Sequence, residues 1–224
     1  MPSDRALTLL RLTPLLQGAA MTMLGDLARN AHFRSYGRNE TVFAAGDPAD
    51  TLHIVALGSV RLYRTGRNGT RELTLSVEGS RQVIEPTALL GASVNHVVHA
   101  QALGQRTDLL ILPGEIVRHA VLHTPTLGAA VMTVLARREA DTGHHLDSLA
   151  FSGVGSRLAA YLLRHARTPH ALPTNSELAA LLGTVPEIVS RKLGDYYRLG
   201  WIDLARRTVT VTNDRELRQL AESG

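Results

Sequence analysis

The chain has 224 residues, 44% of them apolar, no cysteine and a formal charge of +4. That length can bury a sound core and predicts two modest domains, while the missing cysteines exclude disulfides, thiolate-held zinc and iron–sulfur clusters. No apolar run approaches a membrane span, and the first 27 residues carry Asp4, Arg5, Arg11, Pro14 and Asp26, unlike a signal peptide, so a cytoplasmic protein with no membrane partner is expected.

In chain order, residues 5–29 read as helical with a break at Pro14. Residues 41–112 change to short β-type runs at 52–57, 59–64 and 72–77. Gly58 and the stretch 65–70, with its Asn68-Gly69 turn signal, separate them. Many short strands at this spacing predict a sandwich or jelly roll. After Pro113 a short helix spans 115–123 and stops at Pro125; a longer one spans 126–149. On it Leu127, Val131, Val134 and Arg138 recur at spacings of four, three and four. That stripe is either a dimer seam or the face packed on its own domain. Gly153-Val154-Gly155 reads as a linker, with Ser156 capping a helix to His165.

The C-terminal third carries the sharpest signals. Residues 150–224 hold ten Arg/Lys against seven Asp/Glu, and 1–149 fourteen against thirteen. This weakly basic region suits a polyanion. Thr174-x-x-Glu177 and Thr184-x-x-Glu187 both match a capping box. Gly183 falls where the first helix must end, and Pro186 suits the first turn of the second. Two short helices about a Gly turn predict a helix-turn-helix. On the second helix Glu187, Ser190, Arg191 and Gly194 share one face, while Val185, Val189, Leu193 and Tyr196 face Leu178, Leu181 and Leu182. Such a helix fits a major groove: Arg191 can fork onto guanine, and Glu187 can accept from cytosine. Ser190 can reach a base or a phosphate. Glu187 also serves as a cap, Ser190 as a solvated helix residue, and Arg191 as an ion-pair partner of Glu187 or Asp195. Runs 201–204 and 209–212 form a two-stranded wing whose tip holds Arg206 and Arg207. With Thr174, Thr184 and Lys192, these two are the candidate phosphate contacts. Asn213 or Asp214 should cap a last short helix to Glu222. No Gly-x-Ser-x-Gly, P-loop or His-Glu-x-x-His is present, so no enzyme is expected.

Phe43-Ala44-Ala45-Gly46-Asp47-Pro48-Ala49-Asp50, the run Leu52 through Val60, and Pro186-Glu187-Ile188-Val189-Ser190-Arg191 together resemble the Crp/Fnr family of transcription regulators. The Glu-x-x-Ser-Arg face is similar to its Fnr-like branch. The resemblance implies an α+β fold: an N-terminal cyclic-nucleotide-binding-like β-roll (residues 1–124), a dimerisation helix (125–150) and a winged helix-turn-helix (151–224). It implies a homodimer on double-stranded palindromic DNA with TTGA-like half-sites, and RNA polymerase as a candidate partner. The alternative is a β-roll interaction module without sequence-specific readout. Family members that bind cyclic nucleotides carry Gly-Glu and, about ten residues later, Arg followed by Ser or Thr. Here Glu85 remains, but the Gly before it is gone and no Arg lies between Arg81 and Arg106, so cyclic AMP is disfavoured. Lack of cysteine disfavours the family's iron–sulfur cluster. Haem stays open as a cofactor, although His96, His99, His119, His123, His144 and His145 name no ligand pair, and no metal site is expected.

Overall fold

A computed structural model describes residues 2–66, 72–89, 91, 94–165 and 169–222. The Asn68-Gly69 turn and residues 90, 92 and 93 of the cassette region lie outside the described residues. The chain divides into two units, Met1–Arg64 with Leu75–Ala140 and Thr65–Thr74 with Asp141–Gly224.

Helices α1 (Pro2–Leu12) and α2 (Met21–Asn30) flank a 3-10 turn at Pro14–Leu16, where proline removes an amide donor. Eight strands follow: β1 (His32–Gly37), β2 (Thr41–Phe43), β3 (Thr51–Leu57), β4 (Val60–Thr65), β5 (Glu72–Glu78), β6 (Val83–Ile84), β7 (His99–Ala102) and β8 (Arg106–Pro113). They form two sheets, ordered β1-β8-β3-β6 and β2-β7-β4-β5. Then come α3 (Gly114–His123) and α4 (Pro125–Phe151). The first sheet is covered on both faces, so β3 and β8 read as nearly continuous buried runs. Leu52, Ile54, Leu110 and Leu112 pack with the helices, among them Leu10, Leu16, Leu27 and Val117. Val55, Leu109 and Ile111 pack on Val60, Leu62 and Ala100 of the second sheet. Each fully buried leucine contributes about 1.5–3 kcal/mol of transfer free energy.

Sequence reading begins the sheet at Thr41, but β1 already pairs with β8 from His32↔Ile111 to Gly37↔Arg106. Of its six residues only Tyr36 is buried, so an edge strand of this kind lacks the alternation that betrays strands. The same edge holds a buried polar node. Asp108 accepts from Arg106 Nε (2.9 Å) and Nη2 (3.1 Å), Ser35 Oγ (2.7 Å) and Arg5 Nη2 (3.2 Å), tying β8, β1 and α1 together. The Arg106 guanidinium holds the Asp108 carboxyl down at about 2, against the opposing effect of burial. Gly58 closes the β3–β4 turn at φ +81°, where a Cβ would meet Thr107 Oγ1 at 2.7 Å.

Helix α4 packs its apolar stripe on the roll. Leu127 is fully buried, Val131 is 7% exposed, and Val134 packs on the same core beneath the roll's helices. Arg138 donates to the Val83 carbonyl and pairs with Glu78 at 3.3 Å. These four residues pack on their own roll, the second of the two readings of the stripe.

The second unit contains α5 (Val154–His165), β9 (His170–Ala171), α6 (Asn175–Leu182), α7 (Pro186–Arg198), β10 (Ile202–Ala205), β11 (Thr208–Val211) and α8 (Asp214–Glu222). Strands β10-β11-β9 make a small antiparallel sheet. Ser156 is buried inside α5, which starts at Val154, and so does not cap it. Asn213 does face α8, with its Oδ1 3.4 Å from the Glu216 amide. The fold is therefore α+β, with a β-roll, a long helix and a winged helix-turn-helix. Among the described residues no single helix is long and apolar enough to cross a membrane.

Candidate DNA-reading head

The head is built on one genuine capping box. Thr174 Oγ1 accepts from the Glu177 amide at 3.2 Å, and Glu177 Oε2 accepts from the Thr174 amide at 2.6 Å, so two orphan donors of α6 are satisfied reciprocally. Gly183 ends α6 in the left-handed region, φ 62° and ψ 41°. The Thr184 amide then donates back to the Ala179 carbonyl at 2.9 Å. The expected second box is absent. Val185 is the N-cap of α7 with no side-chain cap bond. Pro186 occupies the first turn and starts the helix one residue later than a Thr184 cap requires, so Glu187 never reaches the third helical position. Thr184 closes the end of α6, and the Glu187 carboxylate is left uncommitted to a cap.

One side of α7 completes a core. Val189, Leu193 and Tyr196 pack with Leu178, Leu182, Leu158 and Leu162, whereas Val185 stays half-buried at the helix start. The Tyr196 hydroxyl donates to the Gly155 carbonyl at 2.8 Å, and burial pushes its pKa up to about 12. Arg157 fixes the head further, donating Nε to the Leu182 carbonyl (3.0 Å) and Nη1 to the carbonyls of Ser148 (3.2 Å) and Ser152. It therefore satisfies the C-terminal carbonyls of both α6 and α4. No sequence motif marks Arg157.

The opposite side of α7 is the candidate reading surface. Glu187, Ser190 and Arg191 are all exposed, and together with Pro186, Gly194 and Arg198 they line one shallow groove. Gly194 has open space where a Cβ would stand, so another surface can approach the helix backbone there. Among the described residues no ion pair engages Arg191; Asp195, one of its alternative partners, pairs with Arg198. Arg198 was not among the sequence candidates, although it continues their helical spacing seven residues after Arg191.

The candidate phosphate contacts are more dispersed. Thr174 is exposed at the start of α6 and Thr184 half-buried in the turn. Lys192 is half-buried, turned from the groove toward Gly155. Arg206 and Arg207 are exposed at the tip between β10 and β11, with φ 47° and 69°. Two successive left-handed residues suit a two-residue hairpin turn but cost arginine conformational energy. Arg207 also donates to the Pro173 carbonyl, which fastens the tip to the entrance of α6. The short partner strand β9 was not legible in sequence. Among the described residues no group of three His, Asp or Glu side chains gathers as a metal site requires.

Residues 33–123 match the model of the cyclic nucleotide-binding domain family, and residues 156–220 that of the Crp-like helix-turn-helix domain. The chain is 31% identical over 212 residues to the cyclic AMP receptor protein of Thermus thermophilus, covering 93% of this chain and 97% of that protein. It is 27% identical over 223 residues to a CRP-like cAMP-activated global transcriptional regulator of Mycobacterium tuberculosis, covering 92% and 96%. Its fold is similar to that of the c-di-GMP responsive global regulator CLP of Xanthomonas campestris, with a TM-score of 0.73, 25% identity, and 86% and 99% of the two chains covered.

Proposed function

The chain belongs to the Crp/Fnr family of DNA-binding transcription regulators, and from that premise we propose that it reads a palindromic site as a homodimer, without cyclic AMP. The observation that carries the reading is the exposed face of α7, where Glu187, Ser190 and Arg191 point away from a complete core. Arg191 forks onto guanine O6 and N7 of a TTGA-like half-site, Glu187 accepts from cytosine N4, and Ser190 completes the polar face. Thr174, Thr184, Lys192, Arg206 and Arg207 contact phosphate, giving position and affinity without sequence preference. Two heads related by a dyad meet half-sites about 34 Å apart.

The homodimer seam is reassigned to the side of α4 opposite Leu127. Ala129, Met132, Ala136, Glu139, Gly143, Leu146 and Ala150 are all exposed and recur at alternating spacings of three and four. That is the heptad spacing of a two-helix seam, and its small residues allow a close approach. Independence from cyclic AMP rests on the roll: no guanidinium between Arg81 and Arg106 is present to fork onto a cyclic phosphate.

The test is selection of duplex DNA from a random pool by the purified protein, with no ligand added and salt fixed. Enrichment of a two-fold-symmetric sequence supports all three parts of the reading. Enrichment that appears only with cyclic AMP overturns the last part. Retention of DNA without sequence preference returns the chain to a module that lacks readout.

A further inference from the structure

Alternate residues of β3 share a face, and on its helix-covered side they run Leu52, Ile54, Ala56. The first two are buried, while Ala56 is half-buried at the margin of the core. Where this row ends in a methyl group, a cleft of about 620 Å³ opens between α1, β1, β3 and the turn at residues 79–82. That volume falls inside the range of roughly 300–1,000 Å³ found for small-molecule sites. Leu9, Leu12 and Phe33 complete an apolar wall with Ala56. Leu12 is 47% exposed, so part of that wall is left to water.

Positive charge gathers at the same cleft. Arg5 lies across the Phe33 ring, its Cζ 4.3 Å from the centroid, and its Nη2 donates to Asp108 at 3.2 Å. Asp108 already accepts two bonds from Arg106, so its single negative charge serves two guanidinium groups. Arg81 reaches the cleft from the turn between β5 and β6. The Gln82 amide closes that turn on the Gly79 carbonyl at 3.1 Å, and the Arg81 amide donates to the carbonyl of Val55, next to Ala56, at 2.7 Å. Arg81 holds φ 70° at the third position of the turn, where a positive φ ordinarily calls for glycine. Keeping arginine there costs backbone energy and sets an exposed guanidinium at the cleft. Asp4 also lines it. Arg5, Arg81 and Arg106 against Asp4 and Asp108 leave one positive charge.

We propose that this cleft binds a medium-chain aliphatic carboxylate, its tail on Leu9, Leu12, Phe33 and Ala56 and its carboxylate accepting from Arg81 and Arg5. A monoanion matches the surplus of a single charge. Each methylene laid on the wall leaves water, whereas a short carboxylate gains only an exposed ion pair, which is weak by itself. The tail therefore supplies affinity, and the arginines select the charged head. The cleft shares no residue with the reading face of α7 or with residues 83–99, so this inference is independent of the proposed function.

The experiment is equilibrium dialysis of the full chain against octanoate, butyrate and octanol at fixed salt. Octanoate should bind saturably, one per chain. Butyrate keeps the charge but loses most of the tail, and should bind at least about tenfold more weakly. Octanol keeps the tail without the charge, and should bind roughly five- to tenfold more weakly than octanoate. Arg81→Ala retains the backbone bonds of the turn, so its melting temperature should stay close to that of the wild type. It should weaken octanoate by about five- to tenfold and leave octanol unaffected. Leu12→Asp sets a like charge on the exposed part of the wall and should abolish octanoate binding. Absence of saturable octanoate binding overturns the proposal. So does octanol that binds as tightly as octanoate, since the cleft is then bare apolar surface. Octanoate held equally well by Arg81→Ala or by Leu12→Asp places the ligand elsewhere and overturns it too.

Discussion

Arg191 and Arg206 are both exposed arginines, and the proposed function gives them different work. Arg191 stands in the groove of α7 beside Glu187 and Ser190, where a guanidinium fork can distinguish bases. Arg206 stands on the wing tip, and its proposed contact is the backbone of a duplex held by α7. Arg191→Ala is therefore expected to lose about 1–3 kcal/mol of discrimination at one G·C pair. Arg206→Ala should weaken cognate and scrambled duplexes alike and flatten the dependence of log K on log salt by about one. Equal losses on both duplexes for Arg191→Ala would sink its assignment. In the roll, the carboxyl of Asp108 sits below its ordinary range, at about 2, chiefly through Arg106. A carboxyl depressed in the folded state adds stability that is complete above its unfolded value of about 3.9 and is lost as pH falls through the folded one. The stability gap between wild type and Asp108→Asn should therefore shrink as pH is lowered from about 4 to about 2. Denaturant titrations at each pH would show this, and a constant gap would refute it.

The two threonines that open α6 and precede α7 look alike in sequence and differ in structure. Thr174 makes both bonds of a capping box, whereas the amide of Thr184 closes the preceding helix and its hydroxyl caps nothing. Thr174→Ala should cost the head about 1 kcal/mol, and Thr184→Ala only a few tenths. Urea titrations of the two variants compare them directly, and equal costs would restore a second box. The difference shows what a linear motif omits: Thr-x-x-Glu states a spacing, while Pro186 decides which residue starts the helix. Elements with strong local signals were legible for the same reason. Gly183 fixed the turn, Pro113 and Pro125 bracketed α3, and the short apolar run ended by Gly58 marked β3. β1 and β9 were not legible, because an exposed edge strand and a two-residue strand exist only through partners distant in sequence. Glu187, Ser190 and Arg191 could be placed on one face from helical periodicity alone. The Arg157 clamp could not, since backbone carbonyls at helix ends carry no sequence signature.

At the scale of the whole molecule the open matter is which side of α4 meets a second chain, since a two-fold DNA site needs two heads on one axis. Apolarity by itself selects Leu127, Val131 and Val134, and the roll's core takes all three. What remains outside is Met132 at 68% exposure, Leu146 at 56%, and the small residues spaced between them. A seam of this kind gains little area per residue, so its strength depends on close packing at every position, and Glu139 interrupts it. A polar residue at a single seam position fixes pairing register at a cost in stability. Met132→Glu should then dissociate the dimer while leaving the monomer's melting temperature nearly unchanged, because no core contact is lost. Val131→Glu should unfold the roll instead, since it places a charge in a closed core. Glu139→Leu should tighten association by a factor of roughly ten, about 1.4 kcal/mol. Sedimentation equilibrium of the three variants, read beside their melting curves, separates the two faces. If Met132→Glu remains as dimeric as the wild type, the exposed stripe is not the seam, and the pairing of heads on DNA must come from contacts elsewhere in the chain.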